Sequence, residues 1–330
     1  VVVVELNPTG KDPAQHSEAG PWLVALGASL WGLETLWRLR LSESFPADVL
    51  VFHEHWIGLL LTLPFLAYGW RQLPHVSWRA WASMITSGVL GSAVGTICFT
   101  QALTMMNPSV ANLLLNLQPL VSMAASAVWL RERPRGAFFL WAAIAIGCGV
   151  VLGWDPGGLK NPQVLALGLL FLTGTILSWG LSTTAGRGAM LEIDFRTAVT
   201  LRYAIGAVGT LVIVLVHGSA SRLNVGAFSN EQVAGDMAKL ILIAAVTPTF
   251  IYFAGLARTP GSVATFAEMA QTFASLLITW GMLGNALTPP QMVAGVVLLV
   301  AVSRINQLVE IEGLPAAQAG SVPSATASPG

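Results

Sequence analysis

Charge is what this chain has least of. Asp, Glu, Lys and Arg together make up 10% of its 330 residues, against about 25% in an average soluble domain. A water-soluble protein of this length needs long polar helix faces, and so little charge excludes them. Cysteine is nearly absent as well. Cys98 and Cys148 both fall inside apolar runs, which excludes a disulfide framework and a paired-cysteine metal site. There is no glycine-rich phosphate loop, so any work the protein does draws on gradients or exchange rather than ATP. There is also no His-Glu-x-x-His pattern, and no metal or cofactor is expected.

What the chain has in quantity is apolar length. Hydrophobic residues make up 54% of it, with a mean hydropathy of +0.69. A helix needs about 20 apolar residues to cross a bilayer. Ten segments qualify: 21–41, 48–69, 80–102, 109–130, 137–154, 164–186, 196–217, 238–257, 262–284 and 290–309. The expected fold class is therefore an all-α polytopic membrane protein with ten transmembrane helices. Loop charges set the orientation. With the N-terminus cytoplasmic, ten Lys and Arg lie inside (Lys11, Arg71, Arg79, Arg131, Arg133, Arg135, Arg187, Arg196, Arg258 and Arg304). Five lie outside (Arg38, Arg40, Lys160, Arg222 and Lys239), so both termini are placed in the cytoplasm.

The chain also repeats itself. At an offset of 153, Ser109-Val110-Ala111 falls on Ser262-Val263-Ala264, Gln118 on Gln271 and Phe99 on Tyr252. At an offset of 148, Trp31-Gly32-Leu33 falls on Trp179-Gly180-Leu181 and Ile57-Gly58 on Ile205-Gly206. Five spans per unit is an odd number, so the two units lie in opposite orientations, a five-plus-five inverted repeat. The expected division is a cytoplasmic tail over 1–20, a first repeat over 21–154, a connection over 155–163, a second repeat over 164–309 and a disordered cytoplasmic tail over 310–330.

The segment 107–134, NPSVANLLLNLQPLVSMAASAVWLRERP, carries small residues into an apolar helix. Pro119 lies mid-helix and Arg131-Glu132-Arg133-Pro134 follows at its end. It resembles the fourth span of the EamA-type branch of the drug/metabolite transporter superfamily, and Trp31-Gly32 is similar to the Trp-Gly frequent in that family's first span. The resemblance extends over 21–309. It implies a secondary transporter, commonly an exporter of amino acids or other small metabolites, with a central cavity built from both halves. Where the family usually carries an Arg in its second span, this chain reads Phe52-His53-Glu54-His55-Trp56, while the repeat partner Leu201-Arg202-Tyr203 keeps one. The ninth span has Thr272 in place of a frequent Pro, and its exit has Asn285 in place of Glu.

A charge inside a membrane helix costs several kcal/mol unless it is paired or hydrated, so each one is a candidate site. Glu34, Arg38 and Glu54 lie toward the outer side, and Arg202 and Glu268 each lie roughly 10 Å in from the cytoplasmic side at 1.5 Å per residue. Equal depth predicts an Arg202–Glu268 pair, mirrored by Arg38 with Glu54 or Glu34. Such pairs serve either as clamps between helices or as handles for solute and proton. His53 and His55 flank Glu54 on different helix faces, and only His55 is a cavity candidate. The amides Gln101, Asn112, Asn116, Gln118 and Gln271 are able to bond a solute or another helix. Trp31, Trp179, Tyr203 and Tyr252 are candidate cavity walls. The glycines of Gly91–Gly95 and Gly149–Gly153 read as packing positions, and Pro119 and Pro248 as hinges.

These residues point to a transporter working by alternating access on a small polar solute, with a carboxylate received by Arg202 and an ammonium or coupling proton by Glu268 or Glu54. Proton-coupled efflux of hydrophobic cations through Glu34 or Glu54, or a non-transport scaffold or receptor, are the alternatives. An enzyme is not expected, because no nucleophile–base constellation lies within the spans. The expected partners are a small-molecule solute, possible coupling protons and the bilayer, without nucleic acid, in a monomer or weak homodimer. Thirteen Arg against three Lys suits a GC-rich bacterium, and so an inner-membrane location.

Overall fold

Every regular element among the described residues is helical. The computed structural model describes residues 19–121, 124–125, 136–153, 162–190, 192–256 and 261–313. The Arg131–Arg135 run lies outside them, as do nearly all of the two expected tails and of the 155–163 connection. The helices are α1 (Ala19–Gly32), α2 (Glu34–Leu41), α3 (Ala47–Thr62), α4 (Trp78–Thr86), α5 (Gly95–Leu103), α6 (Pro108–Leu114), α7 (Gly136–Gly153), α8 (Pro162–Ala189), α9 (Phe195–Val216), α10 (Glu231–Ile241), α11 (Thr247–Leu256), α12 (Gly261–Gly281) and α13 (Pro289–Gly313). Two stretches of π-helix, Ser87–Val94 and Leu242–Val246, join α4 to α5 and α10 to α11.

Among the described residues, six continuous helices are long and apolar enough to cross a membrane: Ala47–Tyr68, Trp78–Leu103, Gly136–Gly153, Pro162–Gly186, Phe195–Val216 and Glu231–Gly255. Pro289–Ile305 forms a shorter apolar helix. The first and fourth expected spans are broken instead. The helix of the first is interrupted between Gly32 and Glu34, and that of the fourth tightens into a 3-10 turn over Leu115–Leu117.

The molecule wears its apolar side chains outside. Trp22 and Leu277 are about three-quarters exposed, and Leu60, Val150, Leu170 and Val296 also face outward. Meanwhile Thr35, Arg38, Thr100, Ser109, Thr197 and Thr210 are buried almost completely. Exposed hydrocarbon around a core that holds charges and hydroxyls suits a lipid solvent, in which polar groups must find partners within the protein. The chain is a polytopic helical membrane protein.

The sequence offsets recur in the helix boundaries. Ser77 caps α4 by accepting from the Ala80 N–H, and Asn230, 153 residues on, caps α10 by accepting from Gln232 and Val233. α6 starts at Pro108 and α12 at Gly261, again 153 apart. α3 starts at Ala47 and α9 at Phe195, 148 apart. Shifted by 153, the first π stretch covers 240–247, which contains the second.

Packing follows the same pattern. α1 lies against α11 and α12, and α8 lies against α4, α5 and the first π stretch. The first long helix of each half is thus lodged in the other half, while α3 packs on α9 and α7 on α13. Glycine permits the closest approach. A Cβ on Gly32 would sit 2.7 Å from the Gln271 carbonyl oxygen. One on Gly180 would sit 3.1 Å from the Gln118 carbonyl oxygen and 2.7 Å from Val121 Cβ. Gly32 and Gly180 are 148 apart, and Gln118 and Gln271 153 apart, so one helix crossing is made twice. The halves are interlocked and are not two separate bundles.

Candidate functional site

Arg38 organises charges within the first three helices. Its helix α2 begins at Glu34, so the two side chains lie one turn apart, and Arg38 Nη2 donates to Glu34 Oε2 at 2.8 Å. Glu54 reaches in from α3 and takes a two-pronged grip, with Nη1 to Oε2 at 2.9 Å and Nη2 to Oε1 at 3.2 Å. Thr100 on α5 accepts from Nη1 at 3.0 Å and donates to the Thr96 carbonyl. Arg38 is 1% exposed, so this one guanidinium ties α2, α3 and α5 together out of contact with water. Arg38 Nε is buried without a partner. The expected pairing of Arg38 is present, and it engages both carboxylates at once.

Arg202 and Glu268 do not meet. Arg202 Nε donates to Ser92 Oγ at 3.0 Å, whereas Glu268 accepts a short hydrogen bond from the Tyr252 hydroxyl. The expectation of a pair came from equal depth, and depth fixes only one coordinate. α9 packs on α3, α4 and the first π stretch, while α12 packs on α1, α6 and α13, so the two residues face different neighbours.

Three of the four aromatic candidates fall in two mirrored pairs, the fourth place being taken by Phe99. Trp31 lies over Tyr252 with ring centroids 4.8 Å apart and planes at 44°. Trp179 lies over Phe99 at 5.2 Å and 49°. Trp31 and Trp179 are 148 apart, and Phe99 and Tyr252 153 apart, so each pair joins the first helix of one half to the third of the other. Tilted rings at these separations are in the favourable range for aromatic pairs. Trp179 Nε1 also donates to the Gly91 carbonyl at 2.8 Å. That oxygen lies in the π stretch and also accepts from the Thr96 hydroxyl at 3.1 Å. Tyr203 packs over Gly58 and beside His55, at 5.6 Å between ring centroids. The His55 Nδ1 lies 2.9 Å from the Val51 carbonyl. His53 turns the other way, among Phe45, Phe52 and Phe228.

The amides separate by use. Asn112 donates to Thr35 Oγ1 at 3.1 Å and to the Pro108 carbonyl, joining α6 to α2. Asn116 Nδ2 meets Thr272 Oγ1 at 3.0 Å, joining the fourth segment to α12. Both are spent on helix packing. The side chains of Gln101, Gln118 and Gln271 are only partly buried and make no hydrogen bond among the described residues. These three keep their capacity for a solute.

Several polar residues of the site have no charge or amide to announce them. Thr100 completes the Arg38 cluster, and Ser87, Ser92 and Ser182 gather beside Arg202. Ser182 stands 148 after Glu34, which is the signal that could have found it. On α10, Asp236 is buried between Arg40 at 3.9 Å and Lys239 at 3.5 Å, an exposed pair of cations over one buried carboxylate. Asp48 sits 3.4 Å from His217. At the other end, Glu192 takes the Ser77 N–H and hydroxyl at 2.8 Å each, and these two donors hold its carboxyl below the usual range.

The EamA-like transporter family model matches this chain twice, over residues 19–153 and 166–307. The chain is 24% identical over 298 residues to the riboflavin transporter ImpX of Fusobacterium nucleatum subsp. nucleatum, covering 88% of this chain and 98% of that protein. A solved crystal structure shares the fold, with a TM-score of 0.58 and 19% identity over 90% of this chain and 99% of the other.

Proposed function

The chain belongs to the EamA-like transporter family, and from that premise we propose a secondary transporter that moves a small polar organic solute by alternating access. The observation that carries this reading is the interlocked repeat. Two halves related by the 148 and 153 offsets share their aromatic contacts and glycine crossings, so one half can rock against the other about a common middle. In this reading the chain crosses the membrane ten times, with repeats at 21–154 and 164–309 and both termini in the cytoplasm of a bacterium. The solute lies between Trp31, Trp179 and the uncommitted amides Gln101, Gln118 and Gln271. Amino acids or metabolites of similar size and polarity are the proposed cargo, moved outward.

A second reading is a planar aromatic cargo such as a flavin. The riboflavin transporter relative supports it, and so do the two tilted aromatic pairs, which offer flat apolar faces. Efflux of hydrophobic cations is disfavoured, because Glu34 and Glu54 are both held by Arg38 and neither is a bare carboxylate. Counterflow in proteoliposomes with radiolabelled amino acids, riboflavin and a lipophilic cation tests all three. Accelerated exchange of an amino acid supports the first reading, and of riboflavin alone the second. Exchange of the cation alone overturns both.

A further inference from the structure

Subtracting one repeat from the other exposes an unbalanced position. The outer cluster is made by Glu34, Arg38 and Glu54. Moved on by 148, those three positions are Ser182, Gly186 and Arg202. The outer cluster therefore holds two carboxylates around one guanidinium, and its counterpart holds one guanidinium and no carboxylate. Arg202 stands where the other repeat has Glu54, Gly186 where it has Arg38, and the one remaining carboxylate position is filled by the Ser182 hydroxyl.

The surroundings agree with that arithmetic. Arg202 is partly buried, and among the described residues it makes one hydrogen bond, from Nε to Ser92 Oγ at 3.0 Å, and no ion pair. Its fork of Nη donors is left over. Serving as acceptor, Ser92 keeps its own proton free to donate. A Cβ on Gly91 would lie 3.0 Å from Arg202 Nη2 and 2.2 Å from Ser182 Oγ, so those two groups sit side by side over Gly91, where only a glycine lets them approach. A Cβ on Gly186 would meet only the Ser87 side chain within 4 Å, at 3.1 Å from its Oγ. The Ser182 hydroxyl donates to the Ser87 carbonyl at 3.0 Å and lies 3.1 Å from the Ser87 hydroxyl, so it shapes the edge of the site while Ser92 keeps the free proton. The π stretch bearing Ser87, Gly91 and Ser92 supplies this edge, and π-helix often marks a functional position.

We infer that Arg202, with Ser92 and Ser182, forms a docking point for the anionic group of a solute, a carboxylate or a phosphate. A partly buried guanidinium with no counter-ion is a poor resting arrangement and a good receptor, because the arriving anion supplies the missing charge. The planar fork takes two oxygens of the anion while the Ser92 hydroxyl donates to one of them. The inference rests on the transport reading and narrows its cargo to molecules with an anionic end.

The test is thermal unfolding of the full chain in lipid nanodiscs, titrated with sodium acetate, sodium lactate and sodium phosphate. Acetamide and lactamide serve as neutral matches and sodium chloride as the ionic control. Saturable stabilisation by the carboxylates, absent with the amides, is expected of the wild type. Phosphate acting alone would assign the point to phosphate esters. Arg202→Gln should lose the effect, and Ser92→Ala should weaken it several-fold. Ser182→Glu is the decisive variant, since it restores the counter-ion that the other repeat carries. It should raise the melting temperature and abolish the anion effect even where Arg202→Gln folds poorly. Anion stabilisation that survives Ser182→Glu, or that is no greater than with chloride in the wild type, overturns the assignment. Counterflow of a neutral cargo would then leave the transporter reading standing, whereas no counterflow of any cargo would remove that reading as well.

Discussion

Replacing Arg38 by methionine keeps the length of the side chain and removes the charge that answers two carboxylates. Arg38 is 1% exposed, with Glu54 at 2.9 and 3.2 Å and Glu34 at 2.8 Å. Removing one partner of a buried pair costs about 3–5 kcal/mol, mostly from the charge left behind. At about 2 °C per kcal/mol for a large chain, the melting temperature in nanodiscs should fall by roughly 5–10 °C. Glu34→Gln alone should cost under about 1 kcal/mol, because one guanidinium faces two carboxylates and only one is needed to balance it. Adding Glu34→Gln and Glu54→Gln to Arg38→Met should recover most of the loss, since a neutral cluster has nothing uncompensated to hide. If Arg38→Met melts with the wild type, or the triple variant melts no higher than the single one, the cluster is not a clamp.

Gly32→Ala and Gly180→Ala should each destabilise by about 1–3 kcal/mol, because the added Cβ meets atoms 2.7 Å away. Gly147→Ala, with nothing within 4 Å, should be neutral or stabilise by up to about 1 kcal/mol in the same melting assay. Asn116→Leu should cost about 1–3 kcal/mol by stranding Thr272, and combining it with Thr272→Val should recover much of that in a double-mutant cycle. Glu192 has a depressed pKa, so its bond to Ser77 is present above the ordinary carboxylate range and lost as the pH falls through the lowered value. Amide exchange at Ser77 and the first turn of α4 should quicken in acid once corrected for intrinsic rates, and Glu192→Gln should remove most of that pH dependence.

The repeat was legible in the sequence to the level of single contacts. Phe99 with Tyr252 and Trp31 with Trp179 were matched by offset, and the structure pairs them across the halves. The Arg38 cluster was legible in kind, because charges in apolar helices must find one another. The Arg202–Glu268 pair was not real, since depth along a helix says nothing of which neighbours its face meets. Asn112 and Asn116 were expected to bond a solute or another helix, and the structure ties them to Thr35 and Thr272, partners that hydropathy alone does not name. The π stretches at Ser87–Val94 and Leu242–Val246 were illegible too. A single extra residue in a turn leaves hydropathy unchanged while it turns every later side chain.

Alternating access makes one claim that no static scaffold shares: the outer and inner ends of the site are not open together. Thr100 touches the Arg38 cluster and Ser182 the serines beside Arg202, the outer and inner ends of the site in the proposed orientation. With Cys98 and Cys148 replaced by alanine, a chain carrying both Thr100→Cys and Ser182→Cys presents one thiol near each end. In oriented proteoliposomes, outward opening must uncover the buried position 100, so a bulky impermeant maleimide added outside should react there and then slow labelling of position 182 from the inside by at least several-fold. Labelling of the two positions at independent rates, or of both from the same side, would contradict the account.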